Sequence, residues 1–551
     1  MAKSELEQVP LSGAGTTITD HLTFQPLPRR QVALTMAGVM LAMFLASLDQ
    51  TVVGTAMPRI IADLGGFAYY AWVTTAYLVA STTLVPIIGR LTDMYGRKWF
   101  FIGGIIIFLL GSVLSGLSQS IIQLIIFRGF QGIGAGVIMA SAFITVGDLF
   151  SPDQRGKYQG LIAGVFGLSS VIGPTLGGYL TDAISWHWVF YINIPLGIPV
   201  VALFILFFPE SRRAGIKHRL DFLGVATLTL AVVPLLLALS WGGAQYPWDS
   251  VEVIGTLAFA AVMTVLFIFT EFRASEPIIP VQLFRNQLVA VAMILTFLTG
   301  FSMFGVIIFI PLFFQGVLGM SATASGGFLT PMTLGMVVGS VVSGQVSSRA
   351  GGHYRILGLV GVGLMALGLA LLSRMTVDTG YGQAVLFTVL MGLGLGSTMP
   401  LFTLAVQNTV QHQFLGVATS TLQFFRSIGG TLGLAILGSV MTNRFASALS
   451  DAIPADIKAV VPPERLTQLA HNPQALMNPD AQAQLGAGFS QIGPQGAAMA
   501  QQLLDGLRSA LSIAITEAFL LAFAVGIVAW IAAGFLKVAA SERTGRGPGQ
   551  S

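Results

Sequence analysis

The chain has no cysteine, and only 9% of its 551 residues are Asp, Glu, Lys or Arg. Without cysteine there is no disulfide, no thiolate metal site and no cysteine nucleophile. Its six histidines are scattered, which argues against a metal centre. Soluble domains carry about 25% charged residues. A chain with so little charge and 54% hydrophobic residues cannot cover a globule of its size with a solvated surface. It is therefore expected to be an integral membrane protein. The formal net charge of +4 does not point to nucleic acid, because the basic residues stand in short clusters between apolar runs. The first thirty residues are polar for most of their length and do not read as a signal peptide, since no basic segment leads into a short apolar core with a cleavage site.

Long apolar runs are what the sequence has in abundance. A membrane helix needs about 20 mostly apolar residues. Fourteen stretches meet that need: 31–57, 67–88, 99–117, 121–147, 158–181, 187–208, 222–240, 251–271, 288–315, 321–346, 356–373, 383–408, 414–441 and 511–536. An even count puts both termini on one side. Lys and Arg collect in alternate connections, at Arg29/Arg30, Arg90/Arg97/Lys98, Arg155/Lys157, 212–219, Arg273/Arg285, Arg349/Arg355 and 537–546. The opposite short loops carry only Arg59 and Arg374. This asymmetry predicts cytoplasmic termini. The one long connection, 442–510, falls on the outer side and is rich in Ala, Gln and Pro, with 496–510 able to form a helix leading into the last span. It reads either as a loosely ordered loop or as a surface for substrate or partner.

Two segments echo each other. GFQGIGAGVIMAS at 129–141 resembles VLMGLGLGSTMPL at 389–401, matching Gly132, Gly134 and Gly136 to Gly392, Gly394 and Gly396. The same offset takes Gly156 to Gly416, and GRLTDMYGRK at 89–98 has a weaker echo in GQVSSRAGGH at 344–353. Together these predict an all-α protein of two related six-span halves, 31–212 and 286–541. Two inserted spans (213–285) lie between them, and short tails (1–30 and 542–551) lie outside. Paired halves around a central site are a transporter architecture.

Polar residues inside the spans are the functional candidates. Asp49 is the only charge between Arg30 and Arg59. A carboxylate at that depth is costly unless paired or hydrated, and desolvation disfavours its charged form. It reads either as a helix-packing hydrogen bond or as a site that exchanges a proton. Arg128 needs an acceptor, whether backbone carbonyls or a carboxylate, and Gln123 and Gln131 are candidate neighbours. Arg426 is a second intramembrane guanidinium. Glu517 is a second intramembrane acid, read either as snorkelling to the interface or as a second proton or cation site. Pro174 removes one helix hydrogen bond, and Gly173, Gly177 and Gly178 permit close helix approach, as a hinge and seal or as plain packing. Trp72, Tyr77, Phe166, Phe304 and Phe424 lie in spans that could line a cavity. Met and aromatic walls suit varied amphipathic ligands.

Four stretches in register, LDQTVVGTAMP (48–58), GRLTDMYGRK (89–98), IIFRGFQGIGAG (125–136) and GLSSVIGPTLGGYL (167–180), resemble motifs of the major facilitator superfamily. The GP-x-x-GG pattern and the fourteen spans resemble its drug:proton antiporter branch, which includes quaternary-ammonium exporters. The similarity covers about residues 30–540. One departure is Gly54, where the branch usually has Asn.

The resemblance implies a proton-coupled exporter of lipophilic, often cationic, drugs, working by alternating access as a monomer in the cell membrane. The proton is the coupling ion and there is no bound cofactor. Asp49 is then the coupling and substrate-competing carboxylate, with Arg128 tuning its proton affinity. Gly89, Asp93, Gly96, Arg97 and Lys98 form a gate with an acid ending span 4, Asp148. Arg426 matches a feature of the penultimate span. The second-half echo has Ser348 where Asp93 stands, so the latch is expected on one side only. No G-x-x-x-x-G-K-[ST] loop offers ATP as a fuel. The competing readings are an exporter of an endogenous lipid, envelope precursor or siderophore, a membrane enzyme, and a receptor. The sequence has no cluster of nucleophiles or carboxylates at one membrane face to support the enzyme.

Overall fold

Apolar runs with small residues at helical spacing, bounded by caps, become long helices in the computed structural model. It describes residues 28–65, 69–209, 220–243, 245–320, 322–349, 354–454, 457 and 496–536. The basic connection at 212–219, the two tails and most of the outer connection lie outside the described residues. In chain order the helices are α1 (Arg29–Leu64), α2 (Tyr70–Tyr95), α3 (Lys98–Gly116), α4 (Ile121–Leu149), α5 (Pro152–Ala183), α6 (Trp188–Tyr191), α7 (Asn193–Phe207), α8 (Phe222–Trp241) and α9 (Val251–Arg273). They continue with α10 (Gln287–Leu312), α11 (Ala322–Arg349), α12 (Tyr354–Leu372), α13 (Tyr381–Gln407), α14 (Leu415–Ala452) and α15 (Gly496–Ala533). Local chemistry sets several starts. Ser120, Asp221, Ser250 and Asn286 each accept from a backbone N–H in the first turn of α4, α8, α9 and α10. Gly96 ends α2 at φ +91°, a left-handed conformation that makes the tight turn into α3.

Thirteen segments, with α6 and α7 counted as one, are long and apolar enough to cross a bilayer. The Ser-, Gly- and Thr-rich α11 is less apolar, but packs along α5 and α13 and completes a multi-pass bundle of fourteen crossings. The sixth span is broken: α6 and α7 meet at Ile192, which brings Asn193 to a helix start inside the bundle. The expected outer connection of 442–510 is shorter than the sequence suggests. Met441, Phe445, Ala448 and Leu449 keep one apolar face buried, so α14 runs on to Ala452, with Pro454 just beyond, and α15 starts at Gly496.

Helix pairing repeats between the halves. α1 packs on α5 as α10 packs on α14, and α2 on α4 as α11 on α13. α3 packs on α4 as α12 does on α13. The glycine echo explains the match. A Cβ on Gly132 would press on the Tyr77 carbonyl oxygen and one on Gly136 on that of Ser81, both in α2. Gly392 and Gly396 meet Met332 and Met336 of α11 in the same way. Gly134 and Gly394 meet Phe108 of α3 and Met365 of α12. These glycines let helix backbones touch, which larger residues would prevent. The inserted pair α8 and α9 packs together and leans on α2, with α8 also reaching α14, beside the junction of the halves.

The halves meet along two seams, α5 with α11 and α2 with α14. Both seams are tightest at the end that carries Arg90, Arg97, Arg155 and Arg355, called here the basic end. There a Cβ on Gly156 would stand 2.6 Å from the Gly344 carbonyl carbon, and one on Gly89 would stand 3.0 Å from the Gly416 carbonyl oxygen. The offsets that relate the two halves exchange these two contacts.

Candidate functional site

Asp49 lies at the middle of α1 with its side chain fully enclosed, and Arg128 of α4 is 1% exposed. Arg128 Nη1 donates to Asp49 Oδ2 at 2.5 Å. Asp49 Oδ1 accepts from Gln131 Nε2 and from Asn193 Nδ2, each at 2.9 Å. Arg128 Nη1 also donates to Gln131 Oε1 at 2.8 Å. Ser112 of α3 accepts from Gln131 (3.2 Å) and Asn193 (2.8 Å), and donates to the Phe190 carbonyl at 2.9 Å. The Tyr77 ring covers the guanidinium, with Cζ 4.2 Å from its centroid. Five helices, α1, α3, α4, the α6–α7 break and α2, thus converge on one ion pair. Arg128 Nε and Asn193 Oδ1 remain without partners among the described residues. A carboxylate held in this way takes a proton only by giving up its charged contact with Arg128. Its charge state and the packing of α1 on α4 are therefore linked.

Next to the network, between the halves, is a cavity of about 1080 Å³ of free space. Its wall comes from α1, α2, α4 and α5 on one side and from α10, α11, α13 and α14 on the other. Met43, Met139, Met303, Met336 and Met399 provide adaptable surface, and Phe143, Phe166 and Phe304 provide rings. Its polar lining includes Gln50, Gln159, Gln423 and Arg426.

The structure separates residues that the sequence grouped together. Phe166, Phe304 and Arg426 line the cavity. Asp49 does not; Gln50 beside it does, so Asp49 touches no cavity ligand in this conformation. Tyr77 is fully buried on Arg128, and its hydroxyl donates to the Ala46 carbonyl at 3.3 Å. Trp72 packs against Trp241 at 5.5 Å between ring centroids. Phe424 faces a second, apolar cavity between α8, α9 and α14, because residues one apart on a helix point about 100° from each other. Gln123 sits in the first turn of α4, where its side chain accepts from the Gln119 N–H at 2.9 Å, away from Asp49. Gly54 is on an open face of α1, with nothing within 4 Å of an added Cβ. Glu517 forms a half-exposed pair with Arg444 of α14, its Oε2 2.7 Å from Nε. It stands apart from both the network and the cavity wall.

At the basic end, Asp93 closes the α2–α14 seam. Its carboxylate accepts from the Gly416 N–H (3.1 Å) and the Val417 N–H (2.8 Å), at the start of α14. A negative group there is favoured by the positive helix end. Arg97 donates to Asp93 Oδ1 at 3.0 Å and pairs with Asp148 on its other side. Asp148 Oδ1 in turn is 3.8 Å from His412 Nε2 in the other half. Lys98 is outside this cluster and donates instead to the Ile205 carbonyl at the end of α7, at 2.9 Å. The side chain of Ser348 lies outside the described residues.

The second seam has its own tie, which sequence reasoning missed. Arg155 donates to the Gln407 carbonyl at 3.3 Å and to Asn408 Oδ1 at 2.9 Å, across the halves. At the opposite end Gly173 and Gly177 seat α5 on α1. A Cβ on either would collide with the hydroxyl of Thr51 or Thr55, and the Thr51 hydroxyl donates to the Ser169 carbonyl at 3.2 Å. Pro174 leaves the Ser170 carbonyl without its helix donor. Gly178 has nothing within 4 Å of an added Cβ, so only two of the three glycines serve this seam.

The Asp93 cap yields a first prediction. A partly buried charge at a helix end contributes up to about 2 kcal/mol. Asp93→Asn should weaken the closed basic end and lower turnover roughly tenfold, with substrate affinity little changed, because the cap is remote from the cavity. Equilibrium binding and turnover of the purified variant separate the two. Lost affinity at full turnover would assign Asp93 a different task.

Comparison with known proteins supplies the family. The model of the Major Facilitator Superfamily matches residues 39–434. The chain is 43% identical to Multidrug transporter protein MdtP of Bacillus subtilis (strain 168) over 468 residues, which is 83% of this chain and 86% of that one. It is 45% identical to Multidrug resistance protein 3 of the same organism over 415 residues, 75% of this chain and 80% of that one. Among solved structures it resembles the human organic anion transporter MFSD10 (TETRAN), with a TM-score of 0.54 at 15% identity, covering 91% of this chain and 100% of that one. It also resembles a bacterial homolog of the human lysosomal transporter Spinster in an inward-facing, unoccupied conformation, with a TM-score of 0.52 at 16% identity, covering 92% and 98%. At such identity these two speak for the fold alone. Together with the paired halves and the central cavity, these matches make the chain a membrane transporter, not an enzyme, and it belongs to the Major Facilitator Superfamily.

Proposed function

We propose that this protein is a proton-driven exporter of amphipathic small molecules, in which Asp49 is the proton site. The observation that carries the reading is the buried Asp49–Arg128 pair, one residue along α1 from Gln50 on the cavity wall. The multidrug relatives support the substrate range. The basic end is taken as cytoplasmic by its Lys and Arg excess, in the plasma membrane, with both termini inside. The seams are then closed toward the cytoplasm.

In this mechanism a proton from outside neutralises Asp49 and releases Arg128. The α1–α4 packing relaxes, and the Asp93 and Arg155 ties open toward the cytoplasm. Substrate enters the cavity as the proton leaves inward, and the return carries substrate out. Because Asp49 stands behind the wall, proton and substrate compete through the position of α1 and not for one atom. One charge moving inward across 100 mV releases about 2.3 kcal/mol, enough to sustain roughly a fiftyfold substrate gradient. No bound cofactor takes part, and one chain forms the complete pathway.

The test uses the purified protein in liposomes with an imposed pH gradient and an amphipathic dye whose charge is constant from pH 6 to 8. The dye should accumulate on the acid side at a rate well above that of empty vesicles, and a protonophore should stop it. Dye movement indifferent to the gradient would overturn the proposal.

A further inference from the structure

The charge on the cavity wall is unbalanced. Arg426 of α14 is 6% exposed, lines the cavity, and is the only charged residue among the described lining residues. It forms no salt bridge among the described residues. Its Nη1 donates to Gln423 Oε1 at 2.7 Å, which turns the Gln423 amide so that Nε2 is buried without an acceptor. Gln423 itself is 9% exposed and lines the same cavity. A guanidinium and an amide donor, one turn apart on α14, thus share a wall with no carboxylate to receive them. The negative charge of Asp49 does not supply the balance, since it is matched by Arg128 on the far side of α1.

A buried guanidinium without an anion is costly, and low-dielectric walls concentrate its field in the cleft. Its donors are shaped for carboxylate, sulfonate or phosphate oxygens. A permanent cation in this cavity would meet that field with nothing to offset it.

We propose that the central cavity is a receptor for amphipathic organic anions. Arg426 and Gln423 Nε2 hold the anionic group, and the Met and Phe wall holds the apolar body. This rests on the export reading for its biological sense, but as a statement about binding it stands by itself. It departs from the lipophilic cations that the sequence resemblance implies, because the carboxylate expected to receive them is behind α1.

The test measures binding, so it does not depend on transport. Three probes share one body: N-dansyl-phenylalanine (anion), its methyl ester (neutral), and its trimethylammonioethyl amide (cation). Each is titrated by dansyl fluorescence against the full chain in phosphatidylcholine nanodiscs at pH 7.5. The wild type should bind the anion tightest and the cation at least tenfold more weakly. Arg426→Gln should weaken the anion about tenfold or more and leave the ester within twofold. Arg426→Lys should restore part of the loss, and Gln423→Leu should weaken the anion several-fold by removing the amide.

A wild type that prefers the cation, or an Arg426→Gln variant that loses all three probes equally, overturns the proposal; the latter makes Arg426 structural. If Arg426→Gln does not fold, Gln423→Leu and the wild-type ranking still decide. Phosphatidylglycerol in the nanodisc that displaces the anion from wild type but not from Arg426→Gln identifies a lipid phosphate as an occupant. Absence of that competition leaves free organic anions as the ligands. Failure of gradient-driven dye export with the anion preference intact would overturn the export reading alone.

Discussion

Asp49→Asn is expected to reduce gradient-driven transport to the rate of empty vesicles, while substrate exchange at equal pH on both sides persists. Asn has the size of the protonated acid but cannot release a proton, so the cycle loses its drive and keeps its pathway. The variant leaves Arg128 buried without its anion, and breaking a buried pair from one side typically costs about 3–5 kcal/mol. Lower thermal stability is therefore expected as well, and must be separated from the loss of drive. The double variant Asp49→Asn/Arg128→Gln does so. Removing both charges should recover most of the stability, since the remaining amides can bond to one another through Gln131 and Asn193. Gradient-driven transport should stay at background. Near wild-type driven rates in Asp49→Asn, with normal insertion, would remove Asp49 from the proton pathway.

Gly344→Leu should be the most damaging change at the seams, with transport falling at least about a hundredfold if the closed state costs a few kcal/mol more. Gly344 and Gly156 meet backbone to backbone, so a side chain there has no flexible neighbour to displace. The α5–α11 seam must part, and the basic end stays open. The chain has no native cysteine, so a single Phe143→Cys gives a unique thiol near the basic end of the cavity. It should be labelled by a maleimide from the basic side much faster in Gly344→Leu than in its absence. Gly255→Leu, where an added side chain meets nothing within 4 Å, is the control and should behave as wild type. Equal labelling rates and retained transport in Gly344→Leu would mean the seam does not close the pathway.

Much of this architecture was legible because the bilayer simplifies the problem. Backbone groups in lipid must be satisfied within the segment, so apolar length alone reports helices. The glycine echo was legible because close backbone contact admits few other residues, and Gly132 and Gly392 occupy matching contacts. Asp49 and Arg128 stood out as charges in apolar runs. Their partners did not. Ser112 lies in a span where Ser and Gly are common packing residues, so nothing marked it. Asn193, the one amide in 187–208, carried a signal that went unused.

Which face of a helix meets the cavity was not legible. Asp49 and Gln50 are adjacent in sequence and open to different surroundings, as do Phe424 and Arg426. Arg155 read as one more basic residue at a loop. Its carbonyl partners in α13 carry no sequence mark, because every residue has a carbonyl.

The central claim is that the charge of Asp49 sets the position of the two halves. Spin labels at Tyr95→Cys and Gln411→Cys, exposed sites at the basic end in different halves, report their separation as a distance distribution. In wild type the longer distance should gain population as pH falls, because neutral Asp49 frees Arg128 and opens the basic end. In Asp49→Asn the longer distance should dominate at every pH. A wild-type distribution that does not respond to pH, or an Asp49→Asn distribution that titrates as wild type does, would contradict the account.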